Sequence, residues 1–149
     1  MKISLTAGKS EGPTKLNAFD NALTDAKIGD VNLIPVSSML PPNTQIINMP
    51  HLDPGAMTNC VLSHQHSNTP GDKISAVLSI AQAKEMGCVT EISGTNIPLK
   101  ELEKESKFMV EYMMEKRNLE MLNLQTISKT HTVKENASVV AAVIYHPQL

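Results

Sequence analysis

The chain has 149 residues, an apolar share of 41%, a charged share of 19% and a formal net charge of −2. This length suits one domain with a hydrophobic core, and the composition argues against a disordered chain. The 13 lysines and arginines are scattered and no run of 18 apolar residues occurs, so neither nucleic acid nor a membrane is expected as a partner. Cys60 and Cys88 lack a CxxC spacing, and the first residues lack a signal-peptide pattern. We therefore expect reduced thiols in a cytoplasmic protein.

The first third of the chain predicts three strands and one helix. Apolar and polar residues alternate at the start, as in a half-buried strand, and Leu16, Phe19 and Leu23 recur at helical spacing. In chain order we expect a strand at residues 3–5, a turn at residues 8–12, a helix from Pro13 to Gly29, and strands at residues 31–36 and 45–49.

The remainder predicts two more helices and several strands. Thr69 and Pro70 are typical of a helix cap and a first helical residue, and the apolar residues that follow recur at helical spacing. Residues 51–68 show only a turn signal at 53–55 and a short strand around Val61. The later elements are a helix at residues 69–87, a strand at 88–92, a helix from Pro98 to about Asn118, and strands at 122–133 and 138–145.

The order of these elements indicates the class of fold. Residues 139–144 are apolar at every position, which is typical of a strand covered on both faces. Strands and helices interleave without the glycine patterns of dinucleotide- or phosphate-binding folds. We expect a layered α/β (α+β) sandwich with helices outside.

A serine pair ends the predicted strand at residues 31–36. Ser37–Ser38 alone is typical of a strand-to-turn junction. The nearby Pro41–Pro42 forces the chain to leave the strand, so the peptide bond between Ser37 and Ser38 is a candidate for strain. A hydroxyl beside a strained carbonyl can convert the amide to an ester, and elimination then leaves Ser38 as dehydroalanine. Hydrolysis of that group gives an amino-terminal pyruvoyl group, an electrophile built from the chain itself.

Several segments carry a resemblance to a known family. They are AGKSEG at residues 7–12, LNAFD at 16–20, IGDVNLI at 28–34, VSSMLPP at 36–42, TPGDKISA at 69–76 and HTV at 131–133. In this order and spacing the chain closely resembles the pyruvoyl-dependent arginine decarboxylases, over nearly its whole length.

The resemblance implies a fold, a cofactor and an assembly. The fold is the four-layer αββα sandwich of the pyruvoyl-dependent histidine and arginine decarboxylases. One domain, residues 1–149, would cut itself between Ser37 and Ser38 into a β chain, 1–37, and an α chain, 38–149. The covalent pyruvoyl group would come from Ser38. The expected assembly is a homo-oligomer, a trimer or a dimer of trimers, with sites between subunits.

The implied reaction converts L-arginine to agmatine and CO2, for polyamine biosynthesis or acid resistance. The substrate amine would form a Schiff base with the pyruvoyl carbonyl, and Glu91 would protonate the carbon that loses CO2. By resemblance Asn32 lies close to the pyruvoyl group, and the carboxylate of Asp20 binds the guanidinium with two parallel hydrogen bonds. The remaining pocket positions are Leu23, Gly29 and Val31. From the residues alone, the preferred interpretation of Glu91 is an ordinary strand-edge carboxylate, and that of Asp20 is a helix-surface charge.

Two departures from the family pattern leave alternatives open. Ser93 stands where a second acid is common, and residues 57–68 contain Cys60, His64 and His66 in place of apolar and aromatic residues. The alternative substrates are therefore ornithine and lysine, and the alternative of another class is a non-processing structural or regulatory paralogue. His64 and His66 would share a strand face, but no third metal ligand stands at a suitable spacing, and a solvated or interface pair is the preferred interpretation.

Overall fold

The computed structural model describes residues 1–149. The elements are β1 (Lys2–Glu11), α1 (Lys15–Asp25), β2 (Asn32–Pro35), β3 (Met39–Leu40), β4 (Gln45–Ile46), β5 (Met57–Ser67), β6 (Lys73–Gln82), β7 (Gly87–Thr95), α2 (Leu99–Lys116), β8 (Asn123–Thr132) and β9 (Ala137–His146). The strands form a five-stranded sheet, in the order β2-β5-β9-β1-β4, and a four-stranded sheet, in the order β3-β7-β6-β8. This arrangement confirms the α+β class. Neither helix has the length and apolar character needed to cross a membrane.

The largest apolar cluster joins residues from both sheets. Its members include Ile3, Ala141 and Val143 of the five-stranded sheet and Ile74, Leu78 and Val89 of the four-stranded sheet. The helix α1 packs on the five-stranded sheet through Ala22, together with Ala26 just past its end, and α2 packs on the four-stranded sheet through Val110 and Met114. Each helix therefore covers a sheet of its own.

The strand β9 confirms the prediction made from its continuous apolar sequence. Every one of its residues is buried, and it pairs with β1 on one side and β5 on the other. Val139, Ala141 and Val143 point into the cluster shared by the sheets, whereas Val140 and Ala142 belong to the cluster under α1. Both faces are covered, which explains the absence of polar alternation.

The helix predicted at residues 69–87 is wrong. Pro70 and Gly71 form a turn, in which the Asp72 N–H donates to the Thr69 carbonyl oxygen at 3.1 Å and Gly71 has a φ of +88°. This is the chemistry of a Pro-Gly turn, and β6 follows it. β6 lies between β7 and β8, with every residue from Ile74 to Ala81 buried. Apolar residues on both faces of a covered strand mimic helical spacing.

The turn predicted at residues 8–12 is also wrong, because β1 continues to Glu11. A Cβ on Gly8 would lie 2.3 Å from the Ala22 carbonyl oxygen. Glycine at this position therefore allows α1 to approach β1, and it does not mark a turn.

Several element boundaries differ from the prediction. The helix α1 begins after its cap residue Thr14 and ends at Asp25, ahead of Gly29. The strand β4 covers only the first two residues of the expected segment 45–49. The strand β5 has 11 residues where only a short strand was expected.

Candidate active site at the Ser37–Ser38 bond

The Ser37–Ser38 bond lies where the chain passes from one sheet to the other. The strand β2 ends at Pro35 in the five-stranded sheet, and β3 begins at Met39 in the four-stranded sheet. Before the bond, the Val36 N–H donates to the Cys60 carbonyl oxygen at 2.9 Å. After it, the Val89 N–H donates to the Ser38 carbonyl oxygen at 2.9 Å. The bond is thus held by a different sheet on each side.

The side chain of Ser38 meets that of Glu91. The Ser38 Oγ donates to the Glu91 Oε2 over a long 3.4 Å. Glu91 lies on β7 and is exposed, although the two residues before it are buried. A carboxylate can accept the proton of a hydroxyl once the two oxygens approach to about 3.2 Å or less. The structure therefore brings together two of the predicted catalytic side chains, 53 positions apart in sequence.

The carbonyl of Ser37 is polarised by the backbone. The Met39 N–H donates to the Ser37 carbonyl oxygen at 2.7 Å, forming a γ-turn centred on Ser38. Neither serine has a positive φ, and all peptide bonds are trans. The bond thus carries a directed hydrogen bond on its carbonyl oxygen.

Asn32 is not brought to Ser38 within one chain. It begins β2, and its Nδ2 donates to the Gly55 carbonyl oxygen at 2.9 Å. Extended backbone from Asn32 to Val36 rises roughly 13 Å, so the two sites lie at opposite ends of this segment. Within a single chain, the amide of Asn32 secures the turn before β5.

Only two of the predicted pocket residues lie together. Gly29 and Val31 line an open cavity of about 370 Å³, which neither Ser38 nor Glu91 lines. Leu23 packs partly buried in the cluster under α1, and Asp20 is exposed on that helix. Two of the predicted pocket residues thus share a cavity that does not include Ser38 or Glu91.

The segment that departs from the family pattern makes structural contacts. The rings of His64 and Phe19 lie 5.2 Å apart, and burial, with a smaller contribution from the charge of Lys15, lowers the pKa of His64. The ring of His66 is hydrogen-bonded to Asn136. No group of three or more His, Cys, Asp or Glu side chains is placed to hold a metal ion.

Ser93 stands where the family commonly has a second acid, and its side chain forms a hydrogen bond that links the two sheets. Its Oγ donates to the Gln65 Oε1 at 3.0 Å, and the Gln65 Nε2 donates to the Thr95 Oγ1 at 2.9 Å. This polar row joins β5 to β7 two residues beyond Glu91. The sequence did not indicate it, because the partners lie 28 and 30 positions apart.

The chain is similar to known proteins over nearly its whole length. The sequence profile of the family described as pyruvoyl-dependent arginine decarboxylase matches residues 2–148. A protein of that name from Methanothermobacter thermautotrophicus is 50% identical over 145 residues, which cover 97% of this chain and 96% of the relative. A second, from Methanocaldococcus jannaschii, is 40% identical and covers 94% and 86%. A third, from Pyrococcus furiosus, is 38% identical and covers 98% and 95%. The resemblance drawn from the sequence segments is confirmed, and the chain belongs to the pyruvoyl-dependent arginine decarboxylase family.

Proposed function

We propose that this chain cuts itself between Ser37 and Ser38 and then decarboxylates L-arginine to agmatine and CO2. The observation that carries the proposal is the contact of the Ser38 hydroxyl with the Glu91 carboxylate, 3.4 Å long. It occurs beside a carbonyl that already accepts a backbone N–H. Relatives over nearly the whole chain carry the name of this activity.

Self-cleavage follows from the side chains at the bond. The Ser38 Oγ attacks the carbonyl carbon of Ser37, and Glu91 accepts the hydroxyl proton. The Met39 N–H, at 2.7 Å from the Ser37 oxygen, stabilises the negative charge that develops there. The carbon–nitrogen bond then breaks, the Ser38 nitrogen takes up a proton, and an ester joins the two residues.

Elimination completes the cut. Loss of the Ser38 α-proton breaks its Cβ–Oγ bond, which releases Ser37 as a carboxylate and leaves dehydroalanine at position 38. Water then replaces the nitrogen, and ammonia leaves. The products are a β chain of residues 1–37 and an α chain of residues 38–149 that begins with pyruvoyl.

The residues around Ser38 fit a pyruvoyl group. The Ser38 carbonyl is held by the Val89 N–H, and Glu91 is within reach of its side chain. The pyruvoyl group supplies an electrophilic carbonyl that takes the substrate amine and withdraws the electrons left by CO2. We assign to Glu91 the return of a proton to the substrate carbon. The carboxylate of Asp20 is the proposed partner of the guanidinium.

We further propose that a second copy completes the site. Asp20, Gly29, Val31 and Asn32 lie away from Ser38 in one chain, so their proposed roles require a neighbouring subunit. A homo-oligomer, a trimer or a dimer of trimers, supplies that neighbour. In the same proposal, residues 1–149 are one cytoplasmic domain whose facing sheets and outer helices make a four-layer αββα sandwich.

Substrate assays test the proposal. Purified protein is incubated separately with L-arginine, L-ornithine and L-lysine, and CO2 and the amine products are measured, beside Ser38→Ala and Glu91→Gln variants. We expect agmatine from the unaltered protein, none from Ser38→Ala, and slowed cleavage and turnover in Glu91→Gln. Release of CO2 only from ornithine or lysine would move the substrate assignment to that amino acid. A fully cleaved protein that releases no CO2 from any of the three would contradict the proposal.

A further inference from the structure

Self-cleavage leaves the reactive end of the α chain with few attachments. Ser38 becomes its first residue, and the strand that follows, β3, contains only Met39 and Leu40. Leu40 is fully buried and lies opposite Gly87, and the Ser38 carbonyl is bonded to Val89. Chain ends fray unless they are tied down, so a catalytic group at this end needs further support.

Met39 is the residue of this segment whose backbone groups point away from β7. Met39 is paired with Cys88, and Val89 donates to Ser38, so Met39 occupies the non-hydrogen-bonded position of the antiparallel ladder. Its N–H is directed to the Ser37 carbonyl. Its carbonyl oxygen accepts a hydrogen bond from the Tyr145 hydroxyl at 3.0 Å.

Tyr145 is itself firmly held. It lies on β9, opposite Ile3 of β1, and is 8% exposed within the cluster shared by the sheets. Burial, with a smaller contribution from the Cys60 thiol, raises the pKa of Tyr145 to about 12. The hydroxyl therefore keeps its proton at neutral pH and remains a donor.

We propose that Tyr145 is a positioning residue, which holds the pyruvoyl-bearing end of the α chain through the Met39 carbonyl; this inference rests on the proposed function. Before cleavage the covalent bond to Ser37 restrains position 38 in any case. Cleavage removes that restraint. The Tyr145 hydrogen bond then anchors β3 on the side that faces away from β7. A displacement of about 1 Å at a reacting centre can cost up to about a hundredfold in rate.

The variant Tyr145→Phe tests this role, because it removes the hydroxyl and keeps the ring. The matched control is Tyr112→Phe, which removes a hydroxyl from a tyrosine that is 57% exposed on α2. Each full-length protein is purified beside the unaltered one. Fragment masses, pyruvoyl content, kcat and KM with L-arginine, and thermal unfolding are measured for all three.

We expect Tyr145→Phe to yield the same two fragments, with kcat per pyruvoyl group lowered about tenfold, KM within about twofold, and Tyr112→Phe unchanged. An unchanged kcat per pyruvoyl group would overturn the proposal. A loss of activity only in proportion to lost folded or cleaved protein would also overturn it, because the contact would then serve folding alone. If the unaltered protein is cleaved but inactive, the proposed function fails instead.

Hydrogen exchange in the cleaved, unaltered protein gives a second measurement that needs no variant to fold. We expect the amide of Leu40 to exchange slowly, as those of β7 do. Exchange of the Leu40 amide at the rate of a free chain end would overturn the anchoring role of Tyr145.

Discussion

The carboxylate of Glu11 fastens the turn between β8 and β9 to the end of β1. It accepts the backbone N–H groups of Glu135 at 2.8 Å, Asn136 at 3.2 Å and Lys134 at 3.3 Å, and the Nε2 of His131 lies 2.6 Å away. Burial by itself raises the pKa of Glu11. The four hydrogen bonds outweigh it and lower the pKa from 4.5 to about 2. Replacing this carboxylate by an amide should therefore weaken the folded state.

The size of the effect follows from the change in pKa. A fall from 4.5 to about 2 corresponds to about 3–4 kcal/mol at roughly 1.4 kcal/mol per unit. The side chain is 29% exposed, and water screening reduces the value, so we expect ~1–2 kcal/mol from Glu11→Gln at pH 7. Because the pKa is lower in the folded state, this stabilisation is fully present above pH 4.5 and is lost as the pH falls towards 2.

Urea unfolding followed by circular dichroism measures the difference. The experiment uses a Ser38→Ala background, which keeps the chain in one piece, and one protein concentration, because association shifts apparent stability. Glu135→Gln is the control, since it removes the same charge from an exposed side chain in the same turn. Equal stabilities of Glu11→Gln and its parent at pH 7, or a deficit that persists undiminished near pH 2, would refute the reasoning.

Three further predictions concern packing, substrate binding and the shared site. Gly8→Ala should lower the free energy of unfolding by about 1–3 kcal/mol, because the added Cβ would lie 2.3 Å from the Ala22 oxygen; an unchanged melting temperature would contradict this. Asp20→Asn should raise the KM for arginine about tenfold or more without affecting cleavage. An unchanged KM in steady-state kinetics would contradict this. Unfolding and refolding Ser38→Ala and Asp20→Asn chains together should recover part of the activity measured at low arginine, where Asp20→Asn alone is slow, if neighbouring subunits share a site. Mixed oligomers no more active than the separate variants would argue against sharing.

Elements with a long or continuous pattern could be predicted from the sequence. The helix α2, at Leu99–Lys116, lies within two residues of its expected limits, because its amphipathic pattern extends over several turns. The strand β9 was also recognised, from its unbroken apolar run. The strand β6 was mistaken for a helix, since an apolar run covered on both faces has no period of its own. The Thr69–Pro70 pair before β6 has the pattern of a helix start, but it forms a Pro-Gly turn.

The site could be predicted only in part, because its contacts join distant positions. The residues themselves gave a serine pair before two prolines, and the family resemblance added Glu91, which the structure places against Ser38. The link from Tyr145 to Met39 spans 106 positions. It ends on a two-residue strand, which is too short to leave a sequence pattern. The roles of Asp20 and Asn32 stay predictions until a second subunit is seen beside them.

The most direct test of self-cleavage is the intact mass of the purified protein under denaturing conditions, beside a Ser38→Ala variant. We expect two chains from the unaltered protein, residues 1–37 and 38–149, and a single chain from the variant. The longer fragment should be lighter by one ammonia than the product of simple hydrolysis, because conversion of Ser38 to pyruvoyl releases its nitrogen. A single full-length chain in both samples after long incubation, or a longer fragment that retains the serine nitrogen, would contradict self-processing to a pyruvoyl enzyme.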